Sequence, residues 1–141
     1  MYLIDTDVVS ALRRRHLVEP RVLAWIDATP DVYMFIPSVT LLEIEYGALL
    51  RRHRDEVQGR LFVDWIRGLV LPSFAGRILP FDAEAALLCA ALHVPDPRPE
   101  RDAMIAATAL HHGMIVVTRN VRDFVPMGVP VLNPWEQQLA Q

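Results

Sequence analysis

Short apolar runs alternate along the chain with longer segments whose apolar residues recur at helical spacing. The short runs predict strands, and the longer segments predict helices, because the two structures repeat at two and at about 3.6 residues respectively. The predicted strands are residues 2–5, 33–36, 77–79, 114–117 and 129–132. The predicted helices are residues 7–15, 20–28, 38–52 (starting at Ser38 or Thr40), 55–71, 82–93 (capped by Asp82) and a segment that carries Asp102 and ends near His112 before Gly113.

This alternation is typical of an α/β fold. We expect a single three-layer α/β/α domain over residues 1–141, with a central parallel sheet of four or five short strands and right-handed crossovers. The proline-rich stretch at residues 95–99 is the clearest loop, and no repeat or linker interrupts the chain. In sheets of this kind, ligands bind outside the carboxyl ends of the strands.

Composition narrows the class of protein. The chain has 141 residues, enough for one domain with a sizeable core, and 52% of them are hydrophobic, which suggests that some apolar surface meets a partner. No apolar run approaches the length of a membrane span, and the N-terminus leads directly into a strand without a signal peptide. With Cys89 as the one cysteine, neither an internal disulfide nor a cysteine zinc site is expected. These features predict a cytoplasmic protein.

All fourteen basic side chains are arginines, and the net charge is −3. Codon bias is one explanation for the lack of lysine; the other is that arginine forks bind phosphates with two hydrogen bonds. Two arginine-rich runs, residues 13–16 and 51–54, are candidates for contact with a phosphate backbone. The alternative for both runs is a solvated helix end, where cations also complement the helix dipole.

Four acids lie near predicted strand-to-helix junctions: Asp5, Glu43, Asp102 and Asp123. Carboxylates gathered at the ends of strands in one sheet repel one another unless a cation lies between them. Hard oxygen ligands of this kind suit Mg²⁺, with Mn²⁺ as the alternative. Such a cluster is what metal-assisted phosphodiester hydrolysis requires.

Each acid also has a purely structural explanation. Asp5 and Asp123 could cap a helix or turn, and Asp102 could favour the positive end of the helix dipole. Glu43 could complete a capping box with Thr40, three residues before it. Any one of these explanations is reasonable, but their coincidence at all four acids is better explained by a shared site.

The motifs that carry these acids run in order along nearly the whole chain. They are residues 3–10 (LIDTDVVS), 38–47 (SVTLLEIEYG), 74–82 (FAGRILPFD), 102–109 (DAMIAATA), 117–120 (VTRN) and 133–135 (NPW). In this order the chain resembles PIN-domain ribonucleases, most closely the VapC and FitB toxins of bacterial toxin–antitoxin pairs. The resemblance implies a PIN-like fold and a Mg²⁺-dependent endoribonuclease. It also implies a homodimer and inhibition by a VapB- or FitA-like antitoxin, whose C-terminal tail enters the active-site groove.

The resemblance assigns Asp5, Glu43 and Asp102 to one or two Mg²⁺ ions. The fourth position is open between two residues, because some relatives have Asp directly after Thr-Arg, whereas this chain has Asn120 there and Asp123 three residues later. Three further side chains are possible supporting groups: Thr6, Asp7 and Thr118. The RNA that is cleaved is not identified by these residues.

Two other readings stay open at this point. A hydrophobic strand followed by Asp5-Thr6-Asp7 also resembles the start of haloacid-dehalogenase-like phosphatases, but those enzymes commonly use a lysine, and this chain has none. A catalytically inactive PIN-like protein that binds RNA or a partner is the second alternative. For the expected dimer, the leading apolar surface is the helix carrying Phe62, Trp65, Ile66 and Leu69.

Overall fold

A parallel sheet of five short strands forms the centre of the protein, and the computed structural model describes residues 1–136. The strands are β1 Tyr2–Ile4, β2 Met34–Pro37, β3 Ile78–Leu79, β4 Ile115–Val117 and β5 Val131–Leu132. Their order across the sheet is β3-β2-β1-β4-β5, and every neighbouring pair is parallel. The predicted α/β class and the parallel sheet of four or five short strands are therefore confirmed, and the number of strands is five. The predicted domain extends to residue 141, and residues 137–141 lie outside the described part.

Eight α-helical segments connect and flank the strands within residues 1–136. They are α1 Thr6–Ala11, α2 Pro20–Ala28, α3 Ser38–Arg54, α4 Glu56–Trp65, α5 Leu71–Ser73, α6 Ala83–Leu92, α7 Glu100–His112 and α8 Val121–Phe124. Gly113 ends α7 with a φ of +64°, a conformation that glycine adopts without a steric penalty. No helix in this described part is both long enough and apolar enough to cross a membrane.

The sheet separates two hydrophobic cores. Leu3 and Val116 belong to the first core, together with buried side chains of α6 and α7. Their chain neighbours Ile4 and Val117 belong to the second core, which includes buried residues of α1, α2, α3 and the turn after α4. Successive side chains of a strand point to opposite faces of its sheet, so strands buried on both faces are apolar throughout. This arrangement produces the three layers expected from the sequence.

Two predicted helices are interrupted. The helix predicted for residues 7–15 ends at Ala11 and continues as a 3₁₀ segment, Leu12–Leu17, in which Arg14 has a non-helical backbone (φ −129°, ψ 70°). The helix predicted for residues 55–71 ends at Trp65 and is followed by a π-helical turn, Ile66–Val70. Both ends of that turn, Ile66 and Val70, are buried in the second core.

The capping box that was the structural alternative for Glu43 is absent from α3. The helix begins at Ser38 directly after Pro37, and no side chain caps it. Thr40 lies inside the first turn, fully buried, with its hydroxyl donating to the carbonyl oxygen of Ile4 at 3.3 Å. Glu43 therefore does not bond to its own helix terminus in the predicted way, and its carboxylate is directed elsewhere.

The apolar surface predicted for a dimer is partly interior. Ile66 is fully buried, whereas Phe62 and Trp65 pack against the second core and stay partly exposed. Of the four predicted contacts, Leu69 is the large exposed side chain, at 55%. The homodimer itself stays a prediction.

Candidate active site

The acids lie at the topological switch point of the sheet, near the carboxyl ends of β1 and β4. From β1 the chain adds β2 and then β3 on one side, and afterwards β4 and β5 on the other side. Helices leave adjacent strands in opposite directions at such a switch point, so a crevice opens at the carboxyl ends of β1 and β4. Asp5 follows β1 and donates its backbone N–H to the carbonyl oxygen of Val117 in β4 at 2.9 Å. Thr118 follows β4 directly.

Asp5 is the most buried of these carboxylates, with 6% of its surface exposed. One oxygen accepts the backbone N–H of Thr6 at 2.7 Å, and the other accepts the hydroxyl of Thr118 at 2.8 Å. Asp5 is thus the N-terminal cap of α1 as well as a member of the acidic cluster. Burial raises the pKa of Asp5 to about 7, and the nearby charges of Asp7 and, less strongly, Asp102 add to the increase despite both hydrogen bonds.

Asp7 lies beside Asp5 and is held by the segment that follows β4. Its Oδ2 accepts the backbone N–H of Arg119 at 2.9 Å and lies 3.3 Å from the hydroxyl of Thr118. Its Oδ1 is buried and has no hydrogen-bond partner within residues 1–136. Burial raises the pKa of Asp7 as well. A buried carboxylate oxygen without a donor is unfavourable, and a bound cation would satisfy it.

Asn120 joins the two acids on the opposite side of the crevice. Its side-chain amide Nδ2 lies 2.9 Å from Oδ2 of Asp123 and 3.3 Å from Oδ2 of Asp102. Asp102 is in the first turn of α7, whose buried alanines let the helix pack closely on the sheet. Burial raises the pKa of Asp102 to about 6, and the charges of Asp123, Glu43 and Asp7 contribute in that order. The sequence placed Asn120 and Asp123 in competition for one position, whereas the structure brings both to Asp102.

Glu43 reaches the cluster from α3. Its Oε1 accepts the hydroxyl of Thr6 at 2.6 Å, and its Oε2 lies 3.7 Å from a guanidinium nitrogen of Arg101. The guanidinium of Arg101 also lies 5.5 Å from the ring centre of Tyr46, one turn after Glu43 along the helix. Sequence reasoning missed Arg101, although it directly precedes Asp102. Thr6, predicted as a supporting group, connects Glu43 to the segment that carries Asp5.

The five carboxylates and the Asn120 carbonyl suit a hard cation such as Mg²⁺ or Mn²⁺ in ligand chemistry. Within residues 1–136, no three His, Cys, Asp or Glu side chains are already close enough together to form a ready-made metal shell. Burial is the largest cause of the raised pKa values of Asp5 and Asp102, and the negative charges of neighbouring acids raise both values further. Together with the unpartnered oxygen of Asp7, this donor set fits a divalent cation.

Comparisons with known proteins agree with this geometry. Residues 2–125 match the family model described as the PIN domain. The VapC ribonuclease Y4jK of Sinorhizobium fredii is 36% identical over 143 residues, and the toxin FitB of Neisseria gonorrhoeae is 34% identical over 141 residues. Both alignments cover 96% of this chain and 99% of the relative.

Solved structures give the same result. The crystal structure of FitAcB from Neisseria gonorrhoeae matches with a TM-score of 0.88 at 32% identity, over 97% of this chain and 100% of that one. The structure of FitAB bound to an IR36 DNA fragment matches with a TM-score of 0.85 at 31% identity, over 100% of both chains. The phosphatase alternative is left without support. The resemblance predicted from the motifs is confirmed, and the chain belongs to the PIN-domain family.

Proposed function

We propose that this protein is a Mg²⁺-dependent endoribonuclease, with Mn²⁺ as the alternative ion, and the toxin of a toxin–antitoxin pair. The relatives named as a VapC ribonuclease and as toxin FitB, each matched over nearly full length, support the class of activity. The observation that carries the proposal is the convergence of five carboxylates at the switch point of the sheet, one of them with a buried oxygen that lacks a partner within residues 1–136.

In this proposal Asp5, Glu43 and Asp102 hold the ion from three different elements. Thr118 orients Asp5 through its hydroxyl, and Thr6 orients Glu43 in the same way. Hydrogen bonds of this kind fix the direction of a ligand's lone pairs and increase metal affinity. When bound, the divalent cation supplies Lewis-acid chemistry, lowering the pKa of the attacking water and neutralising charge on the phosphate.

Asp123 and Asn120 together occupy the fourth position of the proposed site. Because the Asn120 amide lies close to both Asp102 and Asp123, it reduces the repulsion between these two acids. We assign Asp123 as the fourth acid and Asn120 as the group that positions it. Asp7 lies on the other side and contributes a charge close to Asp5.

Water is the attacking group in this assignment, so the products should carry a 5′-phosphate and a 3′-hydroxyl. An attack by the ribose 2′-hydroxyl would instead leave a cyclic phosphate. The termini of the cleaved RNA therefore separate metal-assisted hydrolysis from metal-independent cleavage, and they can be read by labelling with a kinase before and after phosphatase treatment.

A cognate antitoxin of the VapB or FitA type is the proposed partner. Support comes from the structural match to FitAB, in which the relative is bound to its partner. A cation on the antitoxin tail would occupy the acidic cluster and compete with Mg²⁺ for the same carboxylates. A homodimer and a cytoplasmic location stay predictions from the sequence.

The direct test is RNA cleavage by the isosteric variants Glu43→Gln and Asp102→Asn, compared with Asp64→Asn. Asp64 is an exposed aspartate on α4 and gives the same loss of charge outside the cluster. Removing a metal ligand should lower Mg²⁺-dependent cleavage at least about 100-fold, since the cation supplies several kcal/mol of transition-state stabilisation. The control should cleave like the unmodified protein.

Two outcomes would contradict the proposal. If Asp102→Asn cleaves as well as the control, the acidic cluster is not the active site. If the unmodified protein binds RNA but does not cleave it with Mg²⁺ or Mn²⁺, the chain is the inactive PIN-like binding protein named as the alternative.

A further inference from the structure

The two arginine-rich runs noted in the sequence come together in the folded protein. Arg13 and Arg51, 38 positions apart in the chain, both line the same two cavities, of about 440 and 530 Å³. The first cavity adds Arg54, and the second adds Arg14 and Arg119. We call these five side chains (Arg13, Arg14, Arg51, Arg54 and Arg119) the arginine surface.

The five side chains of the arginine surface form no ion pair within residues 1–136, although the charge of Arg119 acts on Asp7. Five arginines elsewhere form ion pairs with nearby carboxylates: Arg15, Arg21, Arg60, Arg67 and Arg101. Two acids, Asp55 and Glu19, also line the cavities, but Asp55 caps α4 and Glu19 pairs with Arg21. The surface therefore carries an excess of positive charge.

The positive charges are close enough to affect one another. Burial lowers the pKa of Arg13, and the charges of Arg14 and Arg51 lower it further. Arg13 is held in place by the ring of Phe62, whose centre lies 4.4 Å from the guanidinium carbon. The dipole of α3 would account for the cations at its C-terminal end. It does not account for Arg13, in the 3₁₀ segment after α1, or for Arg119, which follows β4.

Two residues that line these cavities, Arg119 and Gly47, lie next to residues of the acidic cluster. The backbone N–H of Arg119 donates to Asp7, so the residue whose side chain lines the second cavity also holds a site carboxylate. Gly47, which lines the first cavity, follows Glu43 by one helical turn, about 6 Å along the axis of α3. A Cβ at Gly47 would meet no atom within 4 Å, so this side of the helix is open.

We propose that the arginine surface binds the phosphate backbone of the RNA strand next to the phosphate that is cleaved at the acidic cluster. This inference rests on the proposed ribonuclease function and adds the position of the strand. A guanidinium group can bind two phosphate oxygens at once, and five such groups that form no ion pair among residues 1–136 can contact several consecutive phosphates. Contacts of this kind position the strand without reading its sequence.

The test measures RNA binding without catalysis. Binding of a fluorescein-labelled oligouridylate is followed by anisotropy in EDTA at several KCl concentrations, for Arg14→Gln/Arg51→Gln and for the control Arg15→Gln/Arg60→Gln. Arg14 and Arg51 are exposed, so their replacement should leave the fold intact, which a melting curve checks. The control removes the same charge from two arginines that are paired with acids.

Removing one arginine that binds a phosphate should reduce the slope of log K against log salt by about 0.7 and the affinity at about 0.1 M salt by about fivefold. The Arg14→Gln/Arg51→Gln variant should therefore bind about 25-fold more weakly, with a slope smaller by about 1.4, and the control should change by less than about twofold. An equal reduction in both variants would mean that net charge alone matters and would overturn the proposal, as would no reduction in either.

A polyglutamate peptide serves as the second probe. If the Arg14→Gln/Arg51→Gln variant loses polyglutamate binding but keeps oligouridylate binding, the surface receives an acidic protein segment and the RNA proposal is wrong. Because binding is measured in EDTA, it is independent of cleavage. A protein that binds RNA through these arginines but never cuts it would refute the ribonuclease function and leave the binding surface in place.

Discussion

Replacing Asp5 with asparagine should stabilise the metal-free protein, although the change removes a side chain from the centre of the proposed site. The pKa of Asp5 rises from 3.8 to about 7 on folding, chiefly because of burial. At 1.36 kcal/mol per unit of pKa, the ionised carboxylate lowers the free energy of unfolding by about 4 kcal/mol above pH 7. Asparagine has a similar shape and carries no charge, so it is free of this penalty.

Asparagine loses one interaction in return. Both oxygens of Asp5 accept hydrogen bonds, from Thr6 and from Thr118, and the amide group can replace only one of these acceptors. A lost hydrogen bond costs about 1 kcal/mol. The net gain in the free energy of unfolding should therefore be about 3 kcal/mol at about pH 8, or an increase in Tm of roughly 6–12 °C for a domain of this size.

The gain should depend on pH in a defined direction. A carboxyl group whose pKa is higher in the folded state binds its proton more tightly there, so folding becomes less favourable as the pH rises from about 4 to about 7 and changes little above that. The unmodified protein should lose stability across this range, and Asp5→Asn should lose less. At about pH 5 the buried carboxyl group of Asp5 is still mostly protonated, so most of the penalty is absent. The free energies of unfolding of the unmodified protein and Asp5→Asn should then differ by less than about 1 kcal/mol.

Urea unfolding in EDTA at about pH 5 and about pH 8 measures this difference, with Asp64→Asn as the control for an exposed aspartate. Excess Mg²⁺ provides a second measurement: it should stabilise the unmodified protein through binding to the native state and stabilise Asp5→Asn much less. A variant that is equally stable or less stable at about pH 8 would refute the account of Asp5 as a destabilised carboxylate. So would a gain of the same size at both pH values.

Two further predictions concern the site and its inhibitor. Asp123→Asn should lower the initial rate of Mg²⁺-dependent cleavage by about 10–100-fold, because Asp123 supplies a negative charge to the site. Asn120→Ala should lower this rate less, because Asn120 only positions the Asp123 carboxylate. Equal and negligible losses in both variants would indicate a site of three acids. Inhibition by the cognate antitoxin should weaken as the Mg²⁺ concentration increases, because a cationic side chain on the antitoxin tail competes with Mg²⁺ for Asp5, Glu43 and Asp102. Inhibition that responds neither to Mg²⁺ nor to removal of that side chain would rule out this mechanism.

Local chemistry accounts for the parts of the fold that the sequence predicted well. Asp82 caps the helix that follows it, and Gly113 ends α7, because each of these roles depends only on residues within one helical turn. The strands were found for a similar reason, since runs of apolar residues between helices have few other uses in an α/β chain. The four acids could be assigned to one crevice because parallel strands all end at the same edge.

The contacts that the sequence did not predict join residues far apart in the chain. The Thr40–Glu43 spacing matches a capping box, but Glu43 instead accepts a hydrogen bond from Thr6, 37 residues earlier. Within the surface predicted for the dimer, Ile66 is interior, because both ends of the π-helical turn after α4 are buried in the second core. Hydrophobic spacing gives the face of a helix but does not distinguish burial in the core from burial against a partner.

The acidic cluster and the arginine surface together resolve a difficulty in the proposed function. A protein with a net charge of −3 and five carboxylates in its crevice should repel RNA at long range. Salt screens charges beyond about 8 Å at physiological ionic strength, so the charges nearest a bound phosphate outweigh the net charge of the protein. The arginine surface meets the acidic cluster at Arg119, whose backbone N–H donates to Asp7 at 2.9 Å. Gly47, in the lining of the first cavity, lies about 6 Å from Glu43 along the axis of α3. A phosphate there is within range of the arginines, and the acids are left free to hold the cation.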